Sequence, residues 1–236
     1  MSLQAYWELA ALLAISYLIG SIPFAYLIVR WVTGEDVTAH GTGNVGAMNV
    51  RRSTGSWSWF AVAMLADALK GFVPVAAVKA LTFFGPFFMI PTSSAIGPLS
   101  SRASILAYAL VQIPVAGTVI GHNYSFWMAL IKRRFTRTGK GLATGAGALL
   151  AYDWRYFVAV VVVGLAVIAV TRYMMAGQVA AALTLPLTAW VLGSPDWPFA
   201  LVMGLFVYAA HHRRFVGLLR GQEPRLYIDD RMGPRG

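Results

Sequence analysis

Between Leu9 and Trp31 the chain carries one charge, Arg30, at the very end of the run. Wound as a helix rising about 1.5 Å per residue, a run of that length crosses a hydrocarbon layer of about 30 Å. A bilayer requires such a segment, because lipid offers no partner for backbone N–H and C=O groups and a helix satisfies them internally. The pattern recurs from Trp57 to Leu81, Ile105 to Ile120, Tyr156 to Thr171, Met174 to Leu192 and Pro198 to Ala210, with a shorter apolar run from Leu142 to Tyr152. These segments predict an all-α integral membrane protein of about seven transmembrane helices. Composition agrees, with 58% hydrophobic and 12% charged residues against about 25% charged in soluble domains.

The interruptions are as informative as the runs. Pro23, after Gly20 and Ser21, predicts a kink in the first span. Asp67 and Lys70 stand three apart in the second span and share a helix face, turned to protein or to an aqueous cavity because lipid exposure costs several kcal/mol. They read either as a structural ion pair or as neighbours of a site. Phe83 to Arg102, rich in Gly, Pro and Ser, reads as an outer connection. Leu142 to Tyr152 is too short for a full span and predicts a helix that begins within the membrane, its N-terminus offered to an anion. The first run lacks a basic flank and a small-residue cleavage pattern, so it reads as a retained span.

Alternating the loops from one face to the other collects Arg30, Arg51, Arg52, the basic cluster from Lys132 to Lys140, Arg172 and every basic residue from Arg213 onward on one side. Only Lys79, Arg102 and Arg155 remain on the other. The excess of Lys and Arg orients the protein with its N-terminus outside and its C-terminus in the cytoplasm. Residues 1–223 form one polytopic domain in this reading, and 224–236 a polar tail. The net charge of +10 then reports topology and anionic lipid rather than nucleic acid, for which aromatic platforms on a soluble fold are wanting.

The richest loop is His40 to Arg52. Gly41, Gly43 and Gly46 permit successive N–H groups to converge on one anion, Thr42, Asn44 and Asn49 add neutral donors, and Arg51 and Arg52 close the stretch with cationic forks. The glycines also spell a dinucleotide fingerprint, but that motif needs a strand before it, and an unbroken apolar run stands there. The second basic loop, Lys132 to Gly141, holds Lys140 between Gly139 and Gly141; the third follows His211. Cys is absent, which excludes thiolate chemistry, and neither the scattered histidines nor the few carboxylates have metal-ligand spacing. No metal and no cofactor is expected.

Five elements in order, Gly-Thr-Gly-Asn-Val-Gly-Ala-Met-Asn after a Gly-Ser-Ile-Pro-Phe first span, Asp67-Ala-Leu-Lys70-Gly71, Gly121-His122, Gly139-Lys140-Gly141-Leu142-Ala143-Thr144, and His211 followed by Leu-Leu-Arg-Gly-Gln-Glu223, resemble the bacterial acyl-phosphate-dependent glycerol-3-phosphate acyltransferases. The resemblance implies a multi-pass enzyme of the bacterial inner membrane, its site facing the cytoplasm, acting in phospholipid biosynthesis. It would move an acyl group from acyl phosphate to the 1-hydroxyl of glycerol 3-phosphate, giving lysophosphatidic acid and phosphate.

Carried onto this sequence, the family pattern marks Thr42, Arg52, Lys140 and His211 as catalytic. It marks Gly41, Gly43, Asn44, Gly46, Asn49, His122, Gly139, Gly141, Thr144, Arg214 and Glu223 as substrate-binding. Thr42 replaces a usual Ser, Met48 a Thr, Thr138 a Gly and Arg214 an Asn. Glu223 is expected to orient a basic side chain. His122 or His211 could accept the hydroxyl proton, or a substrate phosphate oxygen could, and the resemblance favours the phosphate. Two other readings fit the residues: a membrane anion transporter, and a weakly active relative of the acyltransferases.

Overall fold

The computed structural model describes residues 3–41, 43–84 and 102–223. The expected outer connection therefore lies outside the described residues except for its ends. Among the described residues all regular structure is helical: α1 (Leu3–Gly20), α2 (Phe24–Thr33), a single 3-10 turn (Val37–Ala39), α3 (Ala47–Thr54), α4 (Trp57–Phe84), α5 (Arg102–Asn123), α6 (Phe126–Lys132), α7 (Leu142–Tyr152), α8 (Trp154–Thr171), α9 (Met174–Val191) and α10 (Trp197–Leu219). Four stretches are long and apolar enough to cross a membrane: Tyr6–Thr33, Trp57–Thr82, Trp154–Thr171 and Met174–Val191. Large apolar side chains lie bare on them, Val170 85% and Trp190 75% exposed, as expected where the solvent is lipid.

Packing divides the described chain into two compact units. One draws on residues within Met1–Val78 and Ile113–Ala148, the other on residues within Lys79–Gln112 and Leu149–Ile228. In the second unit α9 packs against both α8 and α10. Gly177 of α9 leaves no room for a Cβ beside Ile168 of α8, and Gly204 of α10 none beside the Ala182 carbonyl. Small residues let helices approach closely in a medium that supplies little hydrophobic drive between them.

The first unit is organised by the break at Pro23. Residues 21–23 leave the helix between α1 and α2, and the carbonyls freed there find side-chain donors. Ser125 Oγ donates to Ser21 O at 2.5 Å, Lys70 Nζ to Ile22 O at 2.7 Å and Trp127 Nε1 to Leu18 O at 3.1 Å. A helix can be broken at membrane depth only where such partners exist, so the kink also ties α1 to α4 and α6. Below the break Ala25 and Val29 of α2 meet Val37, Val45, Val50, Ala63 and Met128 in a buried apolar cluster.

The first span is thus interrupted rather than merely bent, and α7 has the predicted short length. Three stretches differ from the sequence reading. Ala47–Thr54, read as loop as far as Arg52, is the short helix α3 and carries Asn49, Arg51 and Arg52. Phe126–Lys132, read as loop, is the short helix α6, started by Ser125, whose Oγ accepts from Met128 N–H at 3.1 Å. The last helix does not stop at Ala210 but continues through the basic run to Leu219.

α4 and α7 touch backbone to backbone, for a Cβ on Gly147 would strike the Ala68 carbonyl and one on Gly71 the Thr144 carbonyl. Gly147→Val should therefore wedge these helices apart and destabilise the protein by about 1–3 kcal/mol. Thermal denaturation in detergent checks this, and an unchanged midpoint would contradict the packing described.

Candidate functional site: two glycine loops joined at the α7 N-terminus

The first loop leaves α2 at Gly34 and is fixed from below. Asp36 caps the 3-10 turn, accepting from Thr38 N–H at 2.9 Å and Thr38 Oγ1 at 2.7 Å, and pairs with Lys132 at the end of α6. Burial pushes the Asp36 carboxyl up, but the bonds from Lys132 and Thr38 outweigh it and hold the group below its ordinary value. His40 Nε2 lies 2.7 Å from Glu35.

The central clamp is Asn49, 2% exposed, whose Nδ2 donates to the carbonyls of both Val37 and His40 at 2.9 Å. Gly41, at φ +50, lets the chain pass over Asn49 Oδ1 and the Arg52 stem, where a Cβ would collide. Arg52 thereby lies along the glycine run. Arg51 instead sets its guanidinium over the Trp57 ring, 4.1 Å from the centroid, a cation–π contact. Gly43, Asn44 and Gly46 form the partly exposed rim of the loop, and Thr42 lies outside the described residues.

The second loop is bolted by Thr138, the residue that departs from the family glycine. Its N–H donates to Asn123 O at 2.8 Å, and its hydroxyl lies 3.1 Å from His122 O and accepts from Ser125 N–H at 3.2 Å. Its carbonyl accepts from Val45 N–H at 2.8 Å. That last bond joins the two glycine loops, which lie far apart in sequence. Arg137 Nε donates to Gly139 O at 3.2 Å, bracing the turn that presents half-exposed Lys140. Gly141, at φ +74, then turns the chain into α7, whose first N–H groups form a positive helix end.

Behind this surface His122 and Thr144 are 7% and 0% exposed. Their Nδ1 and Oγ1 are 3.1 Å apart, and Asp67 Oδ1 lies 3.8 Å from the same Nδ1. The Asp67–Lys70 pair predicted to share a face is closed at 2.8 Å.

The third motif belongs to the second unit. His211 is 2% exposed, with Nδ1 2.7 Å from Val207 O. Gly221 turns the chain after α10 and brings Glu223 onto Arg214, whose Nε and Nη2 reach the two carboxylate oxygens at 2.8 and 2.5 Å. The carboxylate fixes the orientation of the Arg214 guanidinium.

The sequence reading gathered three basic loops at one surface; the first two are joined through Val45 and Thr138, and that reading missed Thr138 as their bolt and passed over Asn123. That side chain is 1% exposed, lies beside Gly141 and has no hydrogen-bond partner among the described residues. Neither carries a local signal, since both act through contacts made only after folding.

The family model described as glycerol-3-phosphate acyltransferase matches residues 10–221. Among curated relatives of that name, the protein of Synechococcus sp. (strain JA-3-3Ab) is 36% identical over 223 residues, covering 93% of this chain and 95% of its own. That of Gluconobacter oxydans (strain 621H) is 34% identical over 227 residues, covering 94% and 95%. The fold is similar to crystal structures of PlsY (YgiH), an integral membrane glycerol 3-phosphate acyltransferase, in a glycerol 3-phosphate form (TM-score 0.73) and a lysophosphatidic acid form (TM-score 0.72). Each is 26% identical, with 93% of this chain and 96% of that chain covered.

Thr138→Val keeps the shape of the bolt but removes its hydroxyl, leaving the Ser125 N–H without its acceptor in a buried place. A loss of about 1–3 kcal/mol is expected in denaturant or thermal unfolding. Wild-type stability would contradict the role given to Thr138.

Proposed function

This chain belongs to the glycerol-3-phosphate acyltransferase family, and on that premise we propose that it takes its acyl group from acyl phosphate and delivers it to the 1-hydroxyl of glycerol 3-phosphate. The products are lysophosphatidic acid and phosphate. The observation that carries this reading is the Val45–Thr138 hydrogen bond, which sets two basic glycine loops side by side, as two phosphorylated substrates require.

Acyl phosphate is a mixed anhydride and already activated. The alcohol oxygen adds to the acyl carbon, the carbon–oxygen bond to phosphate breaks, and inorganic phosphate leaves. The enzyme has to hold two dianions near each other and aim the hydroxyl at the carbonyl. Such positioning can supply about 7–11 kcal/mol of the barrier in favourable cases. Arg52 and Lys140 offset the charge of the phosphates. Backbone N–H groups at Gly41 and Asn44 and at the start of α7 after Gly139 and Gly141 bind the remaining oxygens, while the N–H groups of Gly43 and Gly46 donate to the His40 and Asn44 carbonyls and shape the loop. The same donors stabilise the oxyanion that forms as the alcohol adds.

Thr42 is assigned to catalysis on the family resemblance, and Asn49 shapes the loop. On the family resemblance His211 is assigned to catalysis, and Arg214 and Glu223 to substrate binding. The hydroxyl proton passes to a phosphate oxygen of a substrate. Burial of the His122 ring behind the second loop supports that choice over a histidine base.

We further infer seven spans with the N-terminus outside and the C-terminus and site in the cytoplasm of a bacterial cell. α5 and α10, at 22 and 23 residues, are each about 33–35 Å long, sufficient to span despite their polar ends.

Purified protein should release phosphate from acyl phosphate only when glycerol 3-phosphate is present, an outcome no anion transporter gives. Arg52→Ala and Lys140→Ala should each lower kcat/KM at least about a hundredfold, near 2.7 kcal/mol of transition-state binding, while unfolding as wild type does. Ordinary kinetics in either variant would overturn the assignment.

A further inference from the structure

A chain of buried polar groups runs through the first unit from the break in the first span to the second glycine loop. Lys70 Nζ donates to Ile22 O at 2.7 Å and pairs with Asp67 at 2.8 Å, the two side chains being 3% and 4% exposed. Asp67 Oδ1 lies 3.8 Å from His122 Nδ1, and the same nitrogen is 3.1 Å from Thr144 Oγ1 in the first turn of α7. The other edge of the ring, Nε2 and Cδ2, occupies the place that a Cβ on Gly139 would need. The imidazole is thus tied through one edge to the start of α7 and supports the glycine peptide with the other.

We propose that Asp67, Lys70, His122 and Thr144 form a positioning network that holds Gly139, Lys140 and Gly141 in the conformation that grips phosphate; the proposal rests on the acyltransferase function given above. A buried ion pair is a weak source of stability, since apolar residues of the same volume often do as well or better. What this pair supplies is direction. Lys70 is held between its carboxylate and a carbonyl exposed by the helix break, so Asp67 has one place to stand. Asp67 in turn biases Nδ1 toward carrying the proton, which fixes the ring that backs the loop. His122 and Thr144, marked as substrate-binding by the family resemblance, are buried, and in this network they act through the loop rather than by touching substrate. Their effect is on where Lys140 and the first N–H groups of α7 point, and a misplacement of about 1 Å at a phosphate site is costly.

The test uses the full chain, purified in detergent, with three substitutions: His122→Leu, Thr144→Val and His122→Asn. Two readouts are taken, steady-state kinetics against glycerol 3-phosphate and the rate of tryptic cleavage after Lys140. Loss of the network in His122→Leu should raise KM about tenfold or more with kcat within about threefold, and should speed cleavage at Lys140. Thr144→Val should shift both readouts the same way, and carries the comparison if His122→Leu does not fold. His122→Asn, whose amide can still meet Thr144, should bring KM back to within about threefold of wild type.

Unchanged KM and cleavage in both His122→Leu and Thr144→Val would overturn the proposal. So would a fall in kcat of about a hundredfold at constant KM with no recovery in His122→Asn, since that result places the imidazole in the chemistry. If wild type itself fails to turn over acyl phosphate, the acyltransferase function fails, while the cleavage rates still report on the network.

Discussion

One backbone hydrogen bond, from Val45 N–H to the Thr138 carbonyl, determines whether this molecule has two separate anion-binding turns or one paired site. It forms only because each side is independently held. On one side Val37, Val45 and Val50 are sunk into an apolar cluster beneath the first loop, and Asn49 fastens the loop's own carbonyls. On the other, Thr138 is anchored to the end of α5 and the start of α6 through His122, Asn123 and Ser125. The cationic side chains are the visible part of the site, but these apolar and backbone contacts place them.

Much of this could be read from the residues. Leu9 to Trp31 with a proline inside it implies a broken span, because a missing N–H and a steric clash act locally. Asp67 and Lys70 imply a shared face because helical geometry fixes which neighbours meet. A mainly apolar run of eleven residues after Gly141 implies a half-length helix for the same kind of reason. Ser125–Lys132 was not legible as a helix, since its cap and its buried Met128 depend on partners in α1 and α2. The continuation of α10 through His211–Arg214 was also hidden: a basic run reads as a loop end, whereas the helix has room to carry it into an aqueous region. Thr138 and Asn123 stayed obscure because their partners are distant in sequence.

Two of the departures that the family resemblance implies, Thr138 and Arg214, have structural counterparts. Thr138 fills the position of a glycine with a hydroxyl that three neighbouring backbone groups surround. Arg214 stands where the resemblance expects a neutral amide, and Glu223 meets its guanidinium with a two-point fork. Buried charge elsewhere is also met by oxygen, for Lys70 Nζ reaches the Asp67 carboxylate and the Ile22 carbonyl. Asp36, Asp67, Lys70, Arg214 and Glu223 are each held by a specific partner, and the loops inherit their shape from such contacts.

The most direct measurement is an experimental structure with glycerol 3-phosphate and an unreactive acyl-phosphate analogue bound together. The account predicts both phosphorus centres between the loop Gly41–Arg52 and the turn Gly139–Leu142, with Arg52 and Lys140 each within about 3 Å of a phosphate oxygen. A phosphate bound beyond the reach of both loops would contradict it.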